Sequence, residues 1–351
     1  MSGKARNRIA WAGAWSRDYN NVRYAEFLPR FSNVDCFYID MHPSWIIRGF
    51  RRRIWLPLLV AWLGFRYRLL FCTDWKQIGL IRNRVVCDHD DPMFTPEEIS
   101  ALNKPNVVTV VVTLEEIRTQ LIERGVRNPI VVIPQGITDK AIDKNRVAAI
   151  RAKWTTEPGE IVVGLHQPRF ILSSELPERS SDPTYAIDAL LDILTEARKK
   201  ERRLVLWLVG EASAKITQMA KANPWIRLVG YQPRMELLNY VAGFDIGVYP
   251  RPPEMILRGS IKVLDYMACG VPVVGYKSGG MKPVIDGQAG IVADDAPSFV
   301  AALVSLARDG DQRMRMGDKG RKAVQQYSWE FLSVQYRNLL EHACDSKDTD
   351  E

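Results

Sequence analysis

The stretch that most constrains this chain runs from Ser260 to Gly280 and reads SIKVLDYMACGVPVVGYKSGG. Pro250, Pro252, Pro253 and Gly259 break any helix before it, and Ser260 is a good N-cap. Ile261, Leu264 and Ala268 recur at helical spacing, and Gly270 can close the helix in a left-handed cap. Val271, Val273 and Val274 then make a short apolar strand, and Ser278-Gly279-Gly280 turns out of it. Phe244 to Tyr249, just upstream, reads as another buried strand. Strand, loop, helix, strand and Gly-rich loop form a unit of a doubly wound sheet, whose ligands sit at the carboxyl ends of the strands. The helix start at Gly259-Ser260 offers unpaired N–H groups and a positive dipole end, which suits phosphate. Lys262 stands in that first turn, where a cation is unfavourable unless an anion binds nearby. Asp265, one turn on, is an acceptor-only group suited to a pair of sugar hydroxyls. The plain alternative is an ordinary βαβ unit with Asp265 merely solvated.

The same alternation runs along the rest of the chain. Arg8 to Gly13 reads as a first strand ending in a turn, Val22 to Phe31 as a helix and Val34 to Ile39 as a strand. Leu69 to Thr73, Arg84 to Cys87, Val107 to Val112 and Ile130 to Ile133 are further apolar strands. Thr95-Pro96, with Glu97 and Glu98, starts a helix, and Leu114 to Arg124 is amphipathic. A polar stretch from Thr138 to Glu160 marks a domain boundary, after which strands and helices alternate again from Ile161. An irregular loop is expected over Gln167 to Pro183 and a terminal helix over Trp329 to Cys344. The expected class is α/β: a Rossmann-like domain over 1–140, a second over 141–330, then a C-terminal helix and acidic tail over 331–351.

Composition excludes several classes. The five cysteines stand far apart without a C-x-x-C pair, which fits a reducing cytosol and neither a disulfide frame nor a zinc knuckle. Four histidines (His42, His89, His166, His342) leave little material for a metal site. No charged-then-apolar leader follows Met1, so a cytoplasmic location is expected. Between Arg48 and Arg84 stand nine Lys or Arg and a single acid, Asp74, an excess above the +7 of the whole chain. Such a patch implies an anionic partner. Within it, Ile54 to Phe65 is too short to span a bilayer and is interrupted by Pro57 and Gly64. Arg51 to Arg53 and Arg66 to Arg68 flank it, and Trp55 and Trp62 lie near its ends. Two readings stand: a helix lying in a membrane interface, with Trp55, Leu58, Leu59 and Trp62 on its apolar face, or a core helix with solvated arginines.

The wording of the opening stretch adds a resemblance. Lys262-Val263-Leu264-Asp265-Tyr266-Met267-Ala268-Cys269-Gly270-Val271-Pro272-Val273-Val274 resembles the nucleotide-sugar site of retaining glycosyltransferases of family 4, which have the two-domain fold called GT-B. Val132-Ile133-Pro134-Gln135-Gly136-Ile137 is similar to the family's interdomain crossing. Gly279-Gly280, Asp286-Gly287 and Gly290-Ile291-Val292 resemble its Gly-rich run, and Tyr327-Ser328-Trp329-Glu330 the start of its last helix. The match is good over Ile161 to Leu340 and weaker before Val107.

The resemblance implies two Rossmann-like domains with a cleft between them, and transfer of a sugar from a nucleoside diphosphate donor held mostly by the second. Asp265 would hold the ribose hydroxyls. Arg169 and Lys262, with the helix start at Gly259-Ser260, would neutralise the leaving diphosphate without an obligatory metal or other cofactor. Gly279 and Gly280 would line the donor site, and His89, in Asp88-His89-Asp90, would face the donor sugar. Asp88 and Gly13 would lie on the acceptor side, where the acceptor would be a glycan or lipid-linked. The sequence departs from the pattern at Leu257, where the family carries a Glu, and at Glu175, where it carries a Lys; Glu254 and Arg179 are the available substitutes. A donor-binding or scaffold protein without turnover is the alternative these departures motivate. Residues 48–84 would meet an anionic membrane surface at the cytoplasmic face, and nucleic acid is not expected, since no nucleic-acid motif accompanies the charge.

Overall fold

The computed structural model describes residues 9–15, 28–31, 34–40, 54–73, 75–90, 92–137, 141–176, 185–251 and 261–345. The chain forms two compact units: Met1–Thr138 with Tyr327–Glu351 in the first, Asp139–Ile256 with Ser260–Gln326 in the second.

The first unit holds β1 (Ile9–Trp15), β2 (Val34–Asp40), β3 (Leu69–Cys72), β4 (Arg84–Asp88), β5 (Val107–Val112) and β6 (Ile130–Val132). They form one sheet in the order β2-β1-β3-β4-β5-β6, with every described pairing parallel. Parallel strands are covered on both faces, which is why β5 is an unbroken β-branched run. Val110 and Val112 face one layer, with α1 (Leu56–Arg66), α2 (Trp75–Ile78), α3 (Pro96–Leu102) and α4 (Glu115–Glu123) supplying Val60, Leu63, Ile78, Leu102, Ile117 and Leu121. Val111 points the other way, into a layer with Trp11, Leu69 and Phe71. Of the helix expected over Val22 to Phe31 only residues 28–31 are described, with Leu28–Arg30 as a turn of 3-10 helix.

The second unit begins with α5 (Lys144–Trp154) and β7 (Ile161–Phe170). Then come α6 (Asp188–Lys200), β8 (Leu204–Ala212), α7 (Ala214–Ala222), β9 (Ile226–Leu228), α8 (Arg234–Val241) and β10 (Ile246–Tyr249). It ends with α9 (Ile261–Ala268), β11 (Val273–Tyr276), α10 (Lys282–Gly287), β12 (Gly290–Ala293), α11 (Ala296–Arg308) and α12 (Gly310–Ala323). The strand order is β12-β11-β10-β7-β8-β9, again parallel throughout. The chain moves outward from β7 to β9, returns to β10, and then moves outward on the other side. That reversal opens a crevice at the carboxyl ends of β7 and β10, the place where such sheets bind ligands.

The opening stretch folds as its pattern requires. α9 ends before Gly270, which adopts φ +70° and closes it in the left-handed region. The loop expected from Gln167 is shorter than read: β7 continues through Phe170, with its pairing to β8 interrupted between His166 and Arg169. The last helix, α13 (Trp329–Asp345), belongs to the first unit and closes its second layer with Trp329, Leu332, Tyr336 and Leu340. Ile137 bridges Ser328 there, and its N–H donates to Tyr327 O at 2.8 Å.

Candidate functional site

At the crevice of the second unit, α9 buries Val263 through Met267 in one run, and Asp265 goes in with them at 1 % exposure. A carboxylate so placed needs a counter-charge. Arg234, the first residue of α8, supplies it: Nη1 reaches Oδ2 at 2.6 Å and Nη2 reaches Oδ1 at 2.7 Å, a bidentate pair. Asp265 is therefore not the solvated acceptor of the plain reading. Both oxygens are engaged, although each keeps lone-pair capacity for a further donor.

His166, on β7, stands beside this pair. Its Nε2 lies 3.5 Å from Asp265 Oδ2 without hydrogen-bond geometry and has no hydrogen-bond partner among the described residues. Its ring meets Tyr266 edge-on, with centroids 5.4 Å apart. Burial pushes the imidazole down to about 3; Asp265 pulls it upward, while the charges of Lys262 and Arg234 push with the burial. His166 is neutral at pH 7, and Lys262 acts electrostatically on the same cluster. The Tyr266 hydroxyl donates to Val248 O at 3.4 Å, and burial raises its pKa, so it is no ready acid.

The other second-unit candidates are placed less centrally. Arg169 is exposed, with its guanidinium 5.6 Å from the centroid of the Tyr185 ring. Glu175 accepts from the Leu172 N–H at 2.8 Å and the Ser213 hydroxyl at 2.7 Å, and these bonds hold its carboxyl below the usual range. Where the family carries a Lys, this chain has a carboxylate used to fasten the start of α7. Gly279 and Gly280 are buried in a turn of 3-10 helix after β11, with Gly280 against the Tyr249 ring. The Ser278 hydroxyl beside them is buried without a hydrogen-bond partner among the described residues. Arg179, Glu254, Leu257, Gly259 and Ser260 lie outside the described residues. A cavity of about 600 Å³ lined in part by Lys277, Gln288, Arg315 and Lys319 shares no residue with the Asp265 cluster.

In the first unit, Gly13 lies on β1 in register with Tyr38. Asp88 ends β4 fully buried and accepts from the Tyr336 hydroxyl at 3.1 Å. The His89 N–H donates to Val111 O at 2.7 Å, and its Nε2 contacts the Glu98 carboxylate. Burial would raise Glu98, but the bonds from His89, Thr95 and Met93 outweigh it and hold the carboxyl below its usual range. Glu98 also completes the capping box of α3 with Thr95. Asp90 accepts from the Gln135 side-chain amide at 2.7 Å. The Asp88-His89-Asp90 run is thus tied to α13, to α3 and to the loop after β6. Among the described residues, no group of three or more His, Cys, Asp or Glu is placed to hold a metal ion.

Sequence reasoning did not mark Arg234, His166 or Glu98. Arg234 had a signal: a cation at the start of a helix opposes the dipole, the same anomaly that marks Lys262. His166 is a polar residue closing an apolar strand run. Glu98 reads fully as a capping residue, which hides its second contact.

Residues 169–309 match the family model described as glycosyl transferases group 1. The GDP-mannose-dependent alpha-(1-6)-phosphatidylinositol dimannoside mannosyltransferase of Mycobacterium tuberculosis is 27 % identical over 233 residues, covering 66 % of this chain and 57 % of the relative. The O-antigen chain mannosyltransferase B of Escherichia coli is 31 % identical over 136 residues, covering 38 % of this chain and 33 % of the relative. The chain thus spans from a third to somewhat over half the length of these relatives. In fold it matches the crystal structure of Anabaena HepE in complex with UDP and glucose, with TM-score 0.71, 16 % identity, and coverage of 95 % of this chain and 99 % of that one. The fold is GT-B, and the chain resembles nucleotide-sugar-dependent glycosyltransferases in its motifs, its matched segment and its fold.

Proposed function

We propose that the protein is a glycosyltransferase that takes a sugar from a nucleoside diphosphate donor, with retention at the anomeric carbon. The observation that carries this is the bidentate pair of buried Asp265 with Arg234, both inside the segment that matches glycosyl transferases group 1, beside His166 and Lys262 at the strand-order reversal. In this reading Asp265 accepts from the ribose hydroxyls with its remaining lone pairs. Lys262, Arg169 and Arg234 face the diphosphate, whose negative charge grows as the glycosidic bond breaks. These groups neutralise the leaving group without an obligatory metal. In the first unit His89, oriented by Glu98, is the group proposed to contact the sugar. The names of the mannosyltransferase relatives make GDP-mannose the first donor to test. The phosphatidylinositol dimannoside and O-antigen chain in those names make a lipid-linked or envelope glycan the acceptor class, reached at the cytoplasmic membrane face.

The test is a panel of nucleotide sugars, GDP-mannose and UDP-glucose included, offered with a lipid-linked mannoside acceptor. Nucleoside diphosphate release is followed, and the anomeric configuration of the product is read by proton NMR. Turnover with retention is expected. Inversion would remove the retaining mechanism. The bidentate Arg234–Asp265 contact, which engages both carboxylate oxygens, favours one other reading: donor binding without turnover. Nucleoside diphosphate binding by calorimetry with no turnover on any donor would establish that reading, and absence of binding would remove both.

A further inference from the structure

α1 has two unlike faces. Val60 and Leu63 are buried in the first unit's core, and Leu59 packs against it. On the other side Trp55, Leu58, Trp62 and Phe65 are exposed at 58, 64, 49 and 90 %. Their spacings of three and four place them along one stripe of the helix. Isolated exposed apolar residues are ordinary on a protein surface, but a contiguous apolar stripe marks a surface that meets an apolar partner. The core-helix reading is met on one face, while the other face leaves Trp55, Leu58 and Trp62 exposed, with Phe65 in the place expected for Leu59.

The charge beside the stripe indicates the partner. The Arg66 guanidinium lies 5.7 Å from the Trp62 ring centroid. Arg68, Lys76 and Arg82 are exposed, and Arg51, Arg52 and Arg53 precede the helix in sequence. A second copy of the same cationic face would be repelled, whereas an anionic surface would be attracted. The helix spans only Leu56–Arg66, and no described helix is long and apolar enough to cross a membrane. An exposed apolar stripe with a cationic margin on a helix this short suits the interfacial plane and not a span. The Tyr67 hydroxyl donates to Asp35 Oδ2 at 2.6 Å, and Phe37 meets Trp62 edge-on at 6.1 Å, so the helix is fixed to the sheet.

We propose that this face of α1 docks the folded protein on an anionic lipid bilayer. Trp55, Leu58, Trp62 and Phe65 enter the boundary between headgroups and acyl chains, and the neighbouring arginines meet the lipid phosphates. This goes beyond sugar transfer and does not depend on it.

The test is co-sedimentation of the full chain with phosphatidylcholine vesicles, with and without about 30 % phosphatidylglycerol, at low and high salt. Binding is expected only to the anionic vesicles, weakening as salt rises. Leu58→Ser with Phe65→Ser replaces the two most exposed members of the stripe and leaves Val60 and Leu63 in place. This variant should keep the melting temperature and lose roughly tenfold or more in vesicle partitioning. Arg66→Gln with Arg68→Gln should lower partitioning and flatten the salt dependence. Absence of binding to anionic vesicles at low salt overturns the proposal. Equal partitioning of the serine variant and the unmodified protein also overturns it. So does a stripe variant that abolishes a dimer in sedimentation velocity while the unmodified protein ignores lipid.

Discussion

At the scale of single residues, the crevice of the second unit centres on the buried carboxylate of Asp265. Asp265→Ala should weaken nucleoside diphosphate binding by ~1–3 kcal/mol, the range for losing an acceptor of charge-assisted hydrogen bonds. It should also lower stability, because Arg234, mostly shielded from solvent, loses its carboxylate. Calorimetry and thermal melts separate the two effects when the doubly changed protein, Asp265→Leu with Arg234→Met, is included. That protein should regain most of the stability and none of the binding; recovery of binding would remove Asp265 from the donor site. His166 gives a pH prediction. Its folded pKa is depressed to about 3 from 6.5, so below 6.5 the unfolded chain holds a proton that the folded one refuses. Stability is therefore full above pH 6.5 and falls as the pH drops toward 3. Denaturant melts across that range should show a shallower fall for His166→Phe, and identical slopes would place the acid sensitivity elsewhere. Arg169→Ala should lower kcat more than it raises KM, because leaving-group charge peaks in the transition state; an effect on KM alone would confine Arg169 to ground-state binding.

At the scale of elements, α9 and its flanking strands were legible in the sequence because each local signal agrees with the fold: apolar period, left-handed glycine, β-branched run. Asp265 could be marked by type and position. Its burial and its partner could not, since Arg234 is brought to it by α8, which is remote in sequence. The same holds for His89, whose contact with Glu98 joins the end of β4 to a capping residue of α3. The two motifs Val132-Ile133-Pro134-Gln135-Gly136-Ile137 and Tyr327-Ser328-Trp329-Glu330 read as separate pieces of one resemblance. The fold makes them two halves of one contact: a Cβ at Gly136 would fall 2.4 Å from the Trp329 ring. Gly136→Ala should therefore destabilise the first unit by about 1–3 kcal/mol through overpacking. An unchanged melting temperature would show that the Trp329 ring has room to move. The stripe on α1 was legible only in part, because helical spacing alone does not say which of two apolar faces turns to the core.

At the scale of the whole molecule, the chain's two units are not two consecutive halves. α13 comes from the far end of the sequence, yet its Trp329 and Tyr336 are buried among Trp11, Leu69 and Phe71. Ending the chain after Gln326 should leave the second unit's core intact, since its described members reach no further than Val324, and should uncover one layer of the first sheet. Limited proteolysis of the truncated protein should spare 141–326 and cut within 1–138; uniform resistance would mean that the first sheet stands without its last helix. Tyr336→Phe is a milder probe, as it removes one donor from the buried Asp88. A consequence follows for how the protein is made. A ribosome releases a chain from its N-terminus, and domains ordinarily fold in that order. Here β1 to β6, with one layer of their sheet unsheathed, wait for α13, which is synthesised after the whole second unit. The second unit can reach its native state before α13 emerges, but the first can do so only after it.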